Sequence, residues 1–163
     1  FQYTAQDDDA VPLTSDPGTI TINYAAINTP PIANDGNFST PEDTFIDVDL
    51  RGLADDVETA DDDLNFAVQS AVNGSVQLLG DGYTARFTPA GNYNGPASFT
   101  YTVMDDGDGG APAESDGPAT VNITVDPVND KPVAMNTSVS ANENDVVQID
   151  LRMFASDVET SDD

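Results

Sequence analysis

The residues of this sequence that could do chemistry are almost all carboxylates. Thirty Asp and Glu face four Lys and Arg, the formal net charge is -26, and the chain contains neither His nor Cys. The absence of His and Cys excludes Ser-His-Asp and Cys-His catalysis and zinc-thiolate sites. Clustered carboxylates favour hard divalent cations, and calcium takes about six to eight oxygen ligands. We therefore expect calcium as the cofactor, no catalytic residues and no enzymatic activity.

The same charge balance limits the partners. Binding to nucleic acid or to an anionic membrane surface needs Lys and Arg, so both are excluded as partners. No apolar run is long enough to span a bilayer, so membrane insertion is not expected either. Paired carboxylates could serve a glycosidase, but that chemistry needs aromatic side chains that stack on sugars, and the chain has no Trp.

Internal repetition organises the chain. Residues 30–62 align with 131–163 at an offset of 101 without gaps, and both contain the sequences D-L-R and D-V-E-T. Residues 1–8 align with 99–106 at an offset of 98. We therefore divide the chain into the C-terminal part of a preceding repeat (1–28, the tail segment), a complete repeat (29–130, the whole repeat) and the N-terminal part of a following repeat (131–163, the head segment).

Alternation of apolar and polar residues predicts seven short strands in the whole repeat. They are expected near 36–40, 46–50, 64–68, 76–78, 83–87, 99–103 and 121–125. Turn signals such as Asn73-Gly74 and Asp81-Gly82 separate them, and no segment has a 3.6-residue apolar period. Seven strands at this spacing predict an all-β, antiparallel, immunoglobulin-like sandwich, repeated in tandem.

Two stretches carry a family resemblance: 73–110, which includes Y-N-G-P-A-S-F-T-Y-T-V, and 120–134, which includes the linker D-P-V-N-D-K-P. They resemble the cadherin-like tandem repeats of large secreted bacterial surface adhesins, and the resemblance extends over the whole repeat and both flanking segments. It implies a calcium-stiffened rod of seven-stranded cadherin-like sandwiches, extracellular and at the cell surface. Its repeats would act as spacers between specialised domains.

The strand order predicts where the carboxylates gather. Strands that run alternately between two ends bring the loops 55–63 and 105–117 to one end, which we call the upper pole. Its expected metal ligands are Asp55, Asp56, Glu58, Asp61, Asp105, Asp106 and Asp108. The opposite end, the lower pole, carries Glu42 and the linker 126–132. The expected ligands there are Glu42, Asp126, Asn129 and Asp130, joined by Asp157, Glu159 and Asp162 of the head segment.

The two linkers differ. The linker at 25–31 keeps Asn28 but lacks the two acids, Asp126 and Asp130, of the linker at 126–132. Calcium affinity depends on the number and charge of the ligands. We therefore expect a bridging calcium at the second linker, whereas any calcium at the first linker should be held mainly within the upper-pole loops of the whole repeat.

The leading hypothesis is a calcium-binding structural and adhesive repeat of a secreted cell-surface protein or extracellular filament. Its expected partners are adjacent repeats of the same chain, neighbouring copies joined by strand addition, and a host or matrix glycan or protein. The alternative is a carbohydrate-binding or accessory module of a secreted polysaccharide-degrading enzyme. That module needs a strip of exposed aromatic side chains, whereas five alternate inward (Phe66, Tyr83, Phe87, Phe99 and Tyr101) and only Phe38 and Phe45 are expected to point outward.

Overall fold

A computed structural model describes residues 1–25 and 27–158. Two short 3₁₀ turns, Leu50–Leu53 and Leu151–Phe154, accompany the strands. The strands are β1 (Gln2–Tyr3), β2 (Gly18–Thr19), β3 (Ile32–Ala33), β4 (Gly36–Pro41), β5 (Ile46–Asp49), β6 (Ala54–Asp55), β7 (Asn65–Val72), β8 (Gly74–Leu78), β9 (Thr84–Pro89), β10 (Gly95–Met104), β11 (Ser115–Asp126), β12 (Val133–Ala134) and β13 (Ala155–Ser156). Among the described residues, no helix is long and apolar enough to cross a membrane.

Seven of these strands build the sandwich of the whole repeat. One sheet has the order β4-β11-β10-β7 and the other has the order β5-β9-β8. The all-β, immunoglobulin-like sandwich predicted from the sequence is therefore confirmed. The number of tandem repeats and the division of the chain into three parts remain predictions.

One strand pair departs from the predicted antiparallel pattern. β4 and β11 are parallel, from Gly36 opposite Val121 to Pro41 opposite Asp126, whereas the other sandwich pairs are antiparallel. The reason lies in the path of the chain. It enters the sandwich at the upper pole and leaves it at the lower pole, so the strand near the start and the last strand must run in the same direction.

The core lies between the two sheets and follows the apolar alternation. On β10 the buried side chains are Ala97, Phe99, Tyr101 and Val103, and the phenyl rings of Phe87 and Phe99 stack with their centroids 6.2 Å apart. The hydroxyl group of Tyr101 lies 2.9 Å from the carbonyl oxygen of Asn34 and 2.8 Å from that of Leu53. This hydroxyl group ties β10 to the first residues of the repeat, near the upper pole.

The tail segment repeats the local structure of the end of the whole repeat. β1 and β2 pair with Gln2 opposite Thr19, which is the register of Thr100 opposite Thr120 in β10 and β11. The carboxylate of Asp7 accepts a hydrogen bond from the Leu13 amide at 2.9 Å, as that of Asp105 accepts one from the Glu114 amide. The two places therefore share a strand register and a carboxylate-to-amide hydrogen bond.

The described part of the head segment repeats the start of the whole repeat in the same way. β12 and β13 pair with Ala134 opposite Ala155, which is the register of Ala33 opposite Ala54 in β3 and β6. Asp150 caps the second 3₁₀ turn through the amide of Arg152, as Asp49 caps the first through the amide of Arg51. A short sequence therefore folds twice into the same local structure.

Candidate metal centres at the two poles

The first linker and the two acidic loops meet at the upper pole. The side-chain amide of Asn28 donates to Asp105 Oδ2 at 3.0 Å, and the hydroxyl group of Thr29 donates to Glu58 Oε2 at 2.6 Å. Across the loops, the hydroxyl group of Thr59 donates to Asp106 Oδ1 at 3.2 Å. The loops 55–63 and 105–117 thus lie side by side, as the strand order led us to expect, and the linker lies against both.

Asp105 is the buried acid of this pole. Its side chain is 1% exposed, and Oδ1 accepts hydrogen bonds from the backbone amides of Gly107 and Glu114, both at 2.9 Å. Burial raises the pKa of Asp105, but the hydrogen bonds from Glu114, Asn28 and Gly107 outweigh it and hold this pKa below its ordinary value. The carboxylate is therefore charged at neutral pH and fixes the second loop to the linker.

Two further oxygen atoms at the upper pole are buried without a hydrogen-bond donor among the described residues. They are Oδ1 of Asn28 and Oδ2 of Asp56. The other carboxylate oxygen of Asp56 accepts from the amides of Glu58 at 2.9 Å and Thr59 at 2.6 Å, which fixes the orientation of the side chain. A buried acceptor without a donor is costly, and a bound cation would remove that cost.

The remaining acids of the upper pole lie apart from Asp105. Asp55, Asp61 and Asp108 are exposed, and no side-chain hydrogen bond is seen for them in the described part of the chain. Asp61 lines an open groove beside Arg51 and Asp62, and those two form an ion pair. The sequence grouped these acids with the others because it shows their position in a loop and not the direction of their side chains.

The lower pole centres on Glu42, which is 2% exposed. The backbone amide of Glu42 donates to the carbonyl oxygen of Asp126 at 2.8 Å, and Glu42 Oε1 accepts from the amide of Val128 at 2.6 Å. Glu42 Oε2 is buried and has no hydrogen-bond partner among the described residues. A carboxylate removed from water thus holds the second linker with one oxygen and leaves the other open.

The other expected ligands of the lower pole lie on or after this linker. Asp126 and Asn129 are exposed, Asp130 and Asp157 are half-buried, and the side-chain amide of Asn129 donates to the carbonyl oxygen of Asp130 at 3.0 Å. Glu159 and Asp162 lie outside the described residues. The structure therefore brings Glu42 to the linker. The contribution of the head segment to a bridging site stays a prediction.

The comparison with protein families agrees with the fold. The family model described as the bacterial Ig domain matches residues 28–125, which is more than half of the chain. The chain belongs to the bacterial Ig domain family. Domains of this family are structural and non-catalytic. A search of the curated proteins finds no match to this bacterial Ig domain.

In the described part of this bacterial Ig domain, no cation cage is already assembled. Within residues 1–25 and 27–158, no group of three or more acidic side chains lies close enough together to hold a metal ion. The oxygen ligands on offer are single buried carboxylate oxygens, the amide oxygen of Asn28 and backbone carbonyl groups. The sequence does not show that the side chain of Asn28 is buried at this pole, and the signal that it offers is the Asn that recurs at the equivalent position of the second linker, Asn129.

The aromatic side chains of the whole repeat offer no flat surface for a sugar. Four of the five expected to point inward are buried, and the fifth, Tyr83, is covered by the guanidinium group of Arg51 at 3.6 Å from the ring centroid. Phe38 was expected to point outward but packs against the core, whereas Phe45 is half exposed beneath the guanidinium group of Arg86 at 3.9 Å. Over residues 29–130, these positions give no strip of exposed rings.

Proposed function

We propose that this bacterial Ig domain is a calcium-stiffened structural and adhesive repeat of a secreted, cell-surface protein or extracellular filament. The observation that carries the proposal is the burial of the Glu42 carboxylate beside the second linker. This carboxylate is 2% exposed, is joined to the second linker through the amide of Val128, and has a buried Oε2 without a hydrogen-bond donor among the described residues. A buried carboxylate with an open oxygen beside an acidic linker fits a site for a hard cation.

Calcium suits these oxygen atoms better than a transition metal. It accepts carboxylate, amide and backbone carbonyl oxygens in a flexible geometry, whereas the sites of soft metals need Cys or His, and the chain has neither. At the lower pole Glu42, Asp126, Asn129, Asp130 and Asp157 would hold the ion. The upper pole offers Asn28, Asp56, Asp105 and Asp106.

Stiffening follows from the position of both sites beside a linker. With a net charge of -26, neighbouring acidic poles repel one another and drive successive domains apart. A divalent cation bound between a linker and a loop cancels this repulsion and reduces the freedom of the linker. We favour a spacer in an extracellular array over an enzyme. The reasons are the acidic composition, the absence of Cys and the structural nature of the family.

Thermal unfolding of the full chain in calcium, in magnesium and in chelator, at matched ionic strength, tests the proposal. A ligand that binds only the folded state stabilises it by about 2.7 kcal/mol when its concentration is a hundred times Kd. We expect calcium to raise the melting temperature by several degrees above the chelator value, and magnesium to raise it less. Equal melting temperatures in calcium and chelator would overturn the proposal.

A matched pair of variants locates the effect. Glu42→Gln keeps the size of the buried side chain but removes its charge, so we expect calcium to stabilise this variant less than the parent. Glu143→Gln changes the equivalent residue of the head segment, which is exposed, and should leave the calcium increment unchanged. Equal calcium increments for Glu42→Gln and the parent, measured with the stoichiometry by titration calorimetry, would remove Glu42 from the site.

A further inference from the structure

The buried Glu42 lies in the turn between β4 and β5, and its two neighbours in the chain are fixed in different ways. Pro41 ends β4 and lies opposite Asp126 of β11, so the sheet fixes the backbone before Glu42. Asp43 follows Glu42 within the turn and is exposed. The backbone after Glu42 therefore needs a support outside the sheet if the carboxylate is to stay at the second linker.

Asp43 supplies that support through its backbone conformation and its side chain. Its φ is 57°, in the left-handed region, which Asp and Asn tolerate better than most residues. Asp43 Oδ1 accepts a hydrogen bond from the backbone amide of Asn92 at 3.0 Å. The side chain of Asp43 thus ties the turn to the loop 90–94, which joins β9 to β10.

The loop that receives Asp43 is itself anchored to the sandwich. The hydroxyl group of Tyr93, the residue after Asn92, donates to the carbonyl oxygen of Pro96 in β10 at 2.7 Å. The same hydroxyl group accepts from the side-chain amide of Asn73, between β7 and β8, at 2.8 Å. Hydrogen bonds and adjacent residues therefore lead without a break from the turn of Glu42 to two other parts of the fold.

The shape of the turn and its attachment to the loop have separate causes. The hydroxyl group of Thr40, which is 4% exposed, donates to the carbonyl oxygen of Thr44 at 3.0 Å and closes the turn from within. The equivalent turn of the head segment is also left-handed at the corresponding residue, Asn144, with a φ of 67°. Asp and Asn both support this conformation, so what Asp43 adds is the acceptor for Asn92.

We propose that Asp43 is a positioning residue of the lower-pole cation site, which keeps the Glu42 carboxylate at the second linker by holding the turn against Asn92. The inference rests on the calcium function proposed above and assigns a residue that is not one of its ligands. Glu42 Oε1 is bound by the amide of Val128, and its buried Oε2 is the oxygen that would meet the cation. A side chain that orients a metal ligand is worth about 10–100-fold in metal affinity.

Substitutions of Asp43 separate its conformation, its acceptor and its charge. Asp43→Gly keeps access to the left-handed conformation but removes the acceptor, whereas Asp43→Asn keeps both and removes only the charge. Asn144→Gly makes the same change to glycine in the equivalent turn and serves as the matched control. Each variant is made in the full chain.

Titration calorimetry then measures Kd for the calcium-binding step that Glu42→Gln removes. We use an ionic strength of about 0.15 M, at which exposed charges are largely screened. We expect Asp43→Gly to raise this Kd about tenfold. Asp43→Asn and Asn144→Gly should bind calcium like the parent.

Hydrogen exchange of the Val128 amide in chelator supplies a second measurement that does not depend on calcium. Because Glu42 Oε1 accepts from this amide, its exchange reports whether the carboxylate stays at the linker. We expect several-fold faster exchange in Asp43→Gly and the rate of the parent in Asp43→Asn and Asn144→Gly. If the parent binds no calcium at this pole but the exchange changes as expected, the proposed function fails and Asp43 still positions Glu42.

Three results would contradict the role of Asp43. An unchanged Val128 exchange rate in Asp43→Gly would mean that Asp43 does not hold Glu42. An unchanged Kd in Asp43→Gly, in a parent that binds calcium, would mean that the position of the turn does not matter to the site. A Kd raised equally in Asp43→Asn and Asp43→Gly would mean that Asp43 acts through its charge and not through its contact with Asn92.

Discussion

The pair Leu50 and Leu151 offers a direct measure of what the sandwich contributes. They are equivalent residues, each the first of a 3₁₀ turn, but Leu50 is 0% exposed and Leu151 is 75% exposed. Truncation to Ala at a buried site loses about 0.8 kcal/mol for each buried carbon, and so about 2.5 kcal/mol in transfer free energy. The cavity left behind brings the cost to about 2–5 kcal/mol for Leu50→Ala. For Leu151→Ala we expect roughly 0.5 kcal/mol or less, the ordinary range of surface substitutions.

Urea unfolding followed by far-ultraviolet circular dichroism measures both costs, at protein concentrations low enough to exclude association. With an unchanged m-value, the shift of the midpoint reports the change in the free energy of unfolding. If Leu50→Ala and Leu151→Ala destabilise equally, the head segment is packed like the whole repeat in a single copy. The argument that Leu151 contributes less than Leu50 because it is exposed would then be wrong.

Two further predictions concern the upper pole. Asp105→Asn should be less stable than the parent at neutral pH. The difference should shrink as the pH falls through the lowered pKa of Asp105, below about 3.8, because a protonated carboxyl group, like the Asn amide, lacks the charge that the hydrogen bonds stabilise. A difference independent of pH in acid unfolding curves would contradict this. Asn28→Asp places a second carboxylate against Asp105 Oδ2, so it should destabilise the domain in chelator but increase the stabilisation by calcium, and melting curves that fall equally in both buffers would contradict it.

The strands could be predicted from the sequence because the alternation of apolar and polar residues along each strand shows which side chains face the core and which face away from it. Phe99, Tyr101 and Val103 alternate with Thr, and β10 covers the predicted run with four further residues at its start and one at its end. The parallel pairing of β4 with β11 is encoded nowhere locally. It depends on the chain entering at one pole and leaving at the other, which only the three-dimensional path shows.

The candidate sites were predictable as regions and not as atoms. Clusters of Asp and Glu in loops identified both poles, but 30 acids cannot be ranked by their burial from the sequence. Asp105 and Glu42 are buried because backbone amides fold around them, and Asp61 is exposed beside Arg51 because its loop turns outward. The sequence of the first linker shows only that it lacks acids, whereas in the structure the amide group of Asn28 donates a hydrogen bond to Asp105 and has an oxygen without a donor among the described residues.

The distribution of the basic residues explains why uncompensated charge collects at the poles. Arg86 pairs with Asp47, Arg51 with Asp49 and Asp62, and Arg152 with Asp150, so three of the four basic side chains pair with an acid of strand β5 or of its equivalent in the head segment. These pairs neutralise acids that lie along the sheets of the sandwich. They leave Asp105 and Glu42, each hydrogen-bonded to a linker, without a basic partner among the described residues. In the function that we propose, a cation from solution would neutralise these two acids, and because both bind a linker, its effect would fall on the orientation of one repeat relative to the next.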